Sequence, residues 1–166
     1  KTAIMALEIV KPKVIEAITF SESFYVPPEL STAESLPRLS KIFGIENYIL
    51  KEGYLPVNVV DHSGLRNTEA SLIAPYQGLS ENELKKIFQE QKREGITLNE
   101  AIFAAYNSKR LVGRFLDEGT WVRLLGTPKN GHSLCVSFYP DGEIRIYYGE
   151  ANFPYIGARS SASCQS

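Results

Sequence analysis

A chain of 166 residues, 43% hydrophobic and 22% charged, has the make-up of one soluble globular domain that can bury a core without disulfide or metal staples. Its formal net charge of −1 offers no bulk attraction to nucleic acid or to an anionic membrane surface, so nucleic acid is not a favoured partner. No apolar run approaches the roughly 18 residues that span a bilayer, which excludes a helical membrane anchor among the expected partners.

The opening stretch KTAIM lacks the positive-then-apolar shape of a secretory signal. Met5, the only methionine, is read as the natural start of a cytoplasmic chain with free thiols; a processed, secreted form is the competing reading. Residues 14–20, VIEAITF, suit a strand or a helix, because so short an apolar run does not declare its period. Pro27 and Pro28 then impose an extended break. A short helix is predicted from near Ser35 to Gly44, with Leu39, Ile42 and Phe43 facing inward. Residues 47–50 and 54–60 read as a hairpin turning at Lys51-Glu52-Gly53, and Pro56 places its second strand at an edge. The polar stretch DHSGLRNTEAS follows as a connection.

Two helices come next. Ser80 caps the first, Glu83 reaches back to it, and Leu79 with Leu84 forms a hydrophobic staple. Leu84, Ile87, Phe88 and Gln91 make its inner stripe, the mixed charges of KKIFQEQKR its solvated side, and Gly95 is predicted just past its end. Thr97 and Glu100 form a capping box on the second helix, whose apolar residues run all round and predict burial. The short link at Gly95-Ile96 predicts an antiparallel helical pair.

Three strands, TWVRLL, SLCVSFY and EIRIYY, predict an antiparallel meander. PDG between Tyr139 and Glu143 suits a type I turn with Gly142 as a left-handed bulge, pairing Phe138 with Ile144 and Val136 with Ile146. KNG, residues 129–131, is read the same way and pairs Val122 with Phe138 and Leu124 with Val136. One face then carries Val122, Leu124, Leu134, Val136, Phe138, Ile144, Ile146 and Tyr148 and belongs to the core. The other reads Trp121, Tyr139, Glu143 in one row, Arg123, Ser137, Arg145 in the next, and Leu125, Cys135, Tyr147 in the third. Aromatic rings beside arginines are what protein hot spots and anion sites use. The plainer alternative is a face covered by the N-terminal strands, with the arginines at its rim.

The chemistry-bearing stretch is VVDHSGLR. Asp61, His62 and Ser63 leave a strand end, where a histidine near neutrality can act as a base and Arg66 can hold an anion. Its plain alternative is a turn in which Asp61 and Ser63 serve the local backbone and Gly64 supplies a positive φ. His132 lies about 10 Å from Cys135 at strand rise, too far for a direct thiol–base pair. The acids of PDGEIR are explained by the turn. Two cysteines and two histidines without CxxC or HxxxH spacing, and no glycine-rich phosphate loop, give no expectation of a metal or cofactor.

The expected fold is α+β: a C-terminal three-stranded antiparallel meander packed on a helical pair, with an N-terminal strand, helix and hairpin region. Residues 1–158 form one domain and 159–166 a frayed Ser-rich tail. The expected function is a non-catalytic binding or regulatory module that uses Trp121, Arg123, Tyr139, Arg145 and Tyr147 to hold a protein or a small anionic ligand. The alternative is a small hydrolase or nuclease centred on Asp61, His62, Ser63 and Arg66, with His132 as a second histidine.

Overall fold

The computed structural model describes residues 22–47, 61–124, 132–150 and 156–164. The early segment at 14–20, the hairpin at 47–60 and the KNG turn lie outside these residues, Asn47 excepted. The class is α+β, with three helices and two sheets of four strands among the described residues.

Strand β1 (Glu22–Val26) alternates: Phe24 and Val26 are buried while Ser23 and Tyr25 face out. Pro27 and Pro28 end it, and two 3-10 turns lead into α1 (Leu36–Phe43), which stops at Gly44 with φ 66°. Leu39 is buried as expected and Phe43 stacks on Tyr106. Ile42 is not inward but 55% exposed, because the buried stripe runs through Leu36, Leu39 and Phe43 and Ile42 falls outside that arc.

The polar connection after residue 60 holds a strand, β2 (Gly64–Thr68), paired antiparallel with β1 through Phe24 and Arg66. Helix α2 (Glu81–Glu90) has the predicted cap, with Ser80 Oγ accepting from the Glu83 amide. Gly95 does not terminate it. The chain turns earlier, at Lys92 with φ 55°, and Glu94–Gly95 forms a short strand, β3. Helix α3 (Leu98–Val112) carries the full Thr97–Glu100 capping box. The predicted helical pair is replaced by two separate packings. Leu84 and Phe88 of α2 cluster with Tyr76 and Ala158, whereas α3 lies in the main core.

Strands β4 (Trp121–Arg123), β5 (His132–Phe138) and β6 (Ile144–Glu150) are antiparallel neighbours as expected. The PDG hairpin is as read: Gly142 has φ 91°, and Tyr139 and Glu143 close the loop at 2.9 Å. The β4–β5 register is not. Val122 faces Val136 rather than Phe138, a slip of two residues, and Leu124 bonds Leu134. A slip of two keeps each side chain on its face, so Val122, Leu124, Leu134, Val136, Phe138, Ile144 and Ile146 are all buried in one cluster with Ala101, Ile102, Ala104 and Ala105 of α3. The meander also gains a fourth strand, β7 (Ile156–Ala158), parallel to β4, for a sheet order β6-β5-β4-β7.

The described part of the expected Ser-rich tail is ordered as a strand. Residues Ser160–Ser163 form β8, which lies between β2 and β3 in the other sheet, ordered β1-β2-β8-β3, and Ser160 and Ser161 are buried. Their hydroxyls have partners, and that is why a polar run is tolerated inside. The chain passes from β7 in one sheet to β8 in the other across Arg159 alone.

β7 is seated against the loop at Ala74 and Pro75, where Ala158 N–H donates to Pro75 O at 2.8 Å. A Cβ on Gly157 would lie 2.7 Å from Ala74 Cβ and 2.8 Å from two backbone oxygens. Gly157→Ala is therefore expected to cost about 1–3 kcal/mol through forced backbone displacement, read as a lower urea midpoint; an unchanged midpoint would mean the loop yields freely.

Candidate functional site

The sequence-predicted catalytic stretch is only partly brought together. Asp61 and Ser63 are exposed, whereas His62 turns inward and is 5% exposed. Of the turn alternative, the positive φ at Gly64 is present, at 85°, and the residue opens strand β2. Arg66 and Asn67 point to opposite faces of that strand, so Arg66 joins His62's surroundings and Asn67 instead accepts from Arg93 at 2.6 Å.

The residue that organises the site is Glu100. It is fully buried on the first turn of α3. Its Oε1 accepts from the Thr97 amide at 3.0 Å and from His62 Nδ1 at 2.6 Å. Its Oε2 accepts from Arg66 Nε at 3.0 Å and from the hydroxyl of Ser161. Arg66 in turn donates to Ser161 Oγ at 2.6 Å and Ser163 Oγ at 3.0 Å. On the other side of the imidazole, Nε2 meets Glu94 Oε2 at 2.5 Å. Carboxylates only accept, so both ring nitrogens donate and His62 is held as an imidazolium. Two cations and two anions thus balance in one cluster.

Burial by itself pulls the His62 pKa down, but the hydrogen bond and charge of Glu100, with the hydrogen bond of Glu94, outweigh it and leave His62 above its ordinary value. Burial likewise pushes Glu100 up, and here the bond and charge of His62, with Ser161 and Thr97, win and hold it below the usual carboxylate range.

Sequence reasoning found His62 and Arg66 but took Glu100 only as a cap, and missed Glu94, Ser161 and Ser163. One signal was available: a glutamate on a helix that is apolar all round is buried, and a buried carboxylate needs cationic partners.

A second polar centre lies beside the first along β8. Arg159 donates to Asp117 at 2.6 and 2.9 Å, to Glu69 O at 2.7 Å and to Ser71 O. Glu69 accepts from the amide and hydroxyl of Ser160, both at 2.6 Å. Full burial raises the Asp117 carboxyl, and the charge and hydrogen bonds of Arg159 work against that.

The predicted binding face is differently built. The register slip puts Arg123, Cys135 and Tyr147 in one row, while Ser137 stays opposite Arg145 as expected. Trp121 meets Tyr147 edge-on at 4.3 Å, and Arg145 lies over the Tyr139 ring at 4.5 Å while pairing with Glu143 at 3.1 Å. Tyr147 is 38% exposed and the Arg145 side chain 56%. Arg123 is buried, as are Cys135 and Ser137, so Arg123 supports this face from within rather than offering a contact. Among the described residues no cluster of His, Cys, Asp and Glu is arranged to hold a metal, and no helix is long and apolar enough to cross a membrane. His132 begins β5 in one sheet and His62 leads into β2 of the other.

No family model, curated protein or solved structure matches the chain.

Two outcomes follow from the Glu100 cluster. Glu100→Gln strips the charge from a carboxylate facing two buried cations and is expected to cost about 3–5 kcal/mol, measured by urea unfolding. The pH dependence of stability has two flanks. His62, raised in the folded state, stabilises fully below its unfolded pKa, and that contribution fades as pH rises through the folded value. Glu100, lowered in the folded state, stabilises above its unfolded pKa and fades as pH falls through the folded value. Unfolding midpoints across pH 3–9 should show both flanks in the wild type, and Glu100→Gln should weaken both.

Proposed function

We propose that the chain is a binding module that receives a protein partner on the outer side of the β4–β5–β6 sheet, through Trp121, Tyr139, Arg145 and Tyr147. One observation carries this reading: two aromatic contacts are already assembled on a rigid sheet, Trp121 with Tyr147 and Tyr139 with Arg145, and they leave Tyr147 and Arg145 at the surface. Pre-assembled rings lose little side-chain entropy on association, and tyrosine, tryptophan and arginine are the residues that dominate interface energetics. Arg145 is already neutralised by Glu143, which favours a protein surface over a small anion.

The hydrolase reading at Asp61, His62 and Ser63 has one point in its favour, the orientation of His62 by a buried carboxylate, as a general base requires. Against it, the second ring nitrogen is engaged by Glu94 and the ring holds its proton. The binding reading is therefore preferred.

The test is affinity capture from the native host with wild type and an Arg145→Ala, Tyr147→Ala double variant. The variant is expected to keep its thermal midpoint within a few degrees, since both side chains are at the surface, and to lose a partner by about 2 kcal/mol or more in a binding isotherm. Equal capture by both proteins would end the proposal.

A further inference from the structure

The two carboxylates on His62 are not equivalent. Glu100 is fully buried, belongs to a fifteen-residue helix, and is fixed by Thr97, Arg66 and Ser161 as well as by the imidazole. Glu94 is 58% exposed and sits on β3, a two-residue strand at the edge of its sheet. β3 pairs with β8 at Glu94↔Ser161 and Gly95↔Ser160, and just beyond it the Ile96 amide donates to Arg159 O at 3.1 Å. Among the described residues, the charged groups facing the imidazole are thus Glu94 from β3, Glu100 from α3 and Arg66 from β2.

A neutral imidazole has one donor. When His62 loses a proton, one nitrogen turns a lone pair toward a carboxylate, and that contact becomes repulsive. Glu100 has no access to water and cannot move without stranding Arg66, so the remaining proton stays on Nδ1. Glu94 can rotate into solvent at little cost.

We propose that His62 is a proton-operated latch: its protonated ring fastens the edge strand β3 to the buried Glu100–Arg66 centre, and deprotonation releases the Glu94 side alone. The released form has a loosened edge at residues 94–96 and an Nε2 lone pair turned toward solvent, on a ring still oriented by Glu100. The raised His62 pKa places the release on the alkaline side of the ordinary histidine value of about 6.5.

The test uses the whole chain and nuclear magnetic resonance. The His62 ring signals, distinguished from those of His132 with a His132→Gln variant, give its titration. Amide exchange at Ile96, corrected for the intrinsic pH dependence, gives the state of the edge. In the wild type, Ile96 protection should fall at least tenfold as His62 deprotonates. Glu94→Ala should show the low protection at every pH. Glu94→Gln discriminates, because an amide accepts from the protonated ring and donates to the neutral one. It should keep Ile96 protected throughout while the His62 midpoint drops. The proposal is overturned by wild-type protection that ignores the His62 titration, by a His62 midpoint at or below the ordinary value, or by a Glu94→Gln protein that loosens as the wild type does.

Discussion

Everything distinctive in this molecule passes through Arg159. The chain leaves β7 in one sheet and enters β8 in the other with this single residue between them, and its side chain is almost wholly buried. A buried guanidinium must be paired and have its donors satisfied, or the fold cannot hold it. Asp117 supplies the charge, and the carbonyls of Glu69 and Ser71 take further donors. Asp117 meets it from a left-handed backbone with φ 60°, a conformation aspartate tolerates better than most residues. The turn before β4, the loop after β2 and the junction of the two sheets are thereby tied to one group.

Once β8 is set by that joint, its alternating side chains build the polar centres on either face of its sheet. Ser160 goes to Glu69 and Arg93 on one side, and Ser161 goes to Glu100 and Arg66 on the other. Networks of this kind are a weak source of net stability beside an apolar core. Their geometry is exacting, however, and a strand displaced by one residue would leave several charges stranded. A hydrophobic pattern cannot fix the register of a strand reading Ser-Ser-Ala-Ser; hydrogen-bond matching does so here.

The sequence was legible where the determinants are local. Both helix caps, the Gly44 stop and the PDG hairpin are decided within a few residues, and each was readable. The inside–outside alternation of β4 to β6 was readable too, because a slip of two leaves it unchanged; the register itself was not. What escaped was non-local. His62 takes its partners from 32 and 38 residues away, and the strand at 160–163 looks like a tail until Glu69, Arg93, Arg66 and Glu100 are brought to it. Polar composition reads as exposure only when nothing says which distant group will answer it. The candidate site was therefore half visible, as His62 and Arg66, while the carboxylate that joins them passed for a helix cap.

The sheet order β1-β2-β8-β3 also carries a kinetic consequence. The β5–β6 hairpin closes across a three-residue turn and can assemble on its own in microseconds. In the other sheet, Arg66 and Ser163 are neighbours although 97 residues separate them, so the chain must close a long loop before that pairing yields anything. The local β5–β6 pairing is thus positioned to form early, and the distant β2–β8 pairing late.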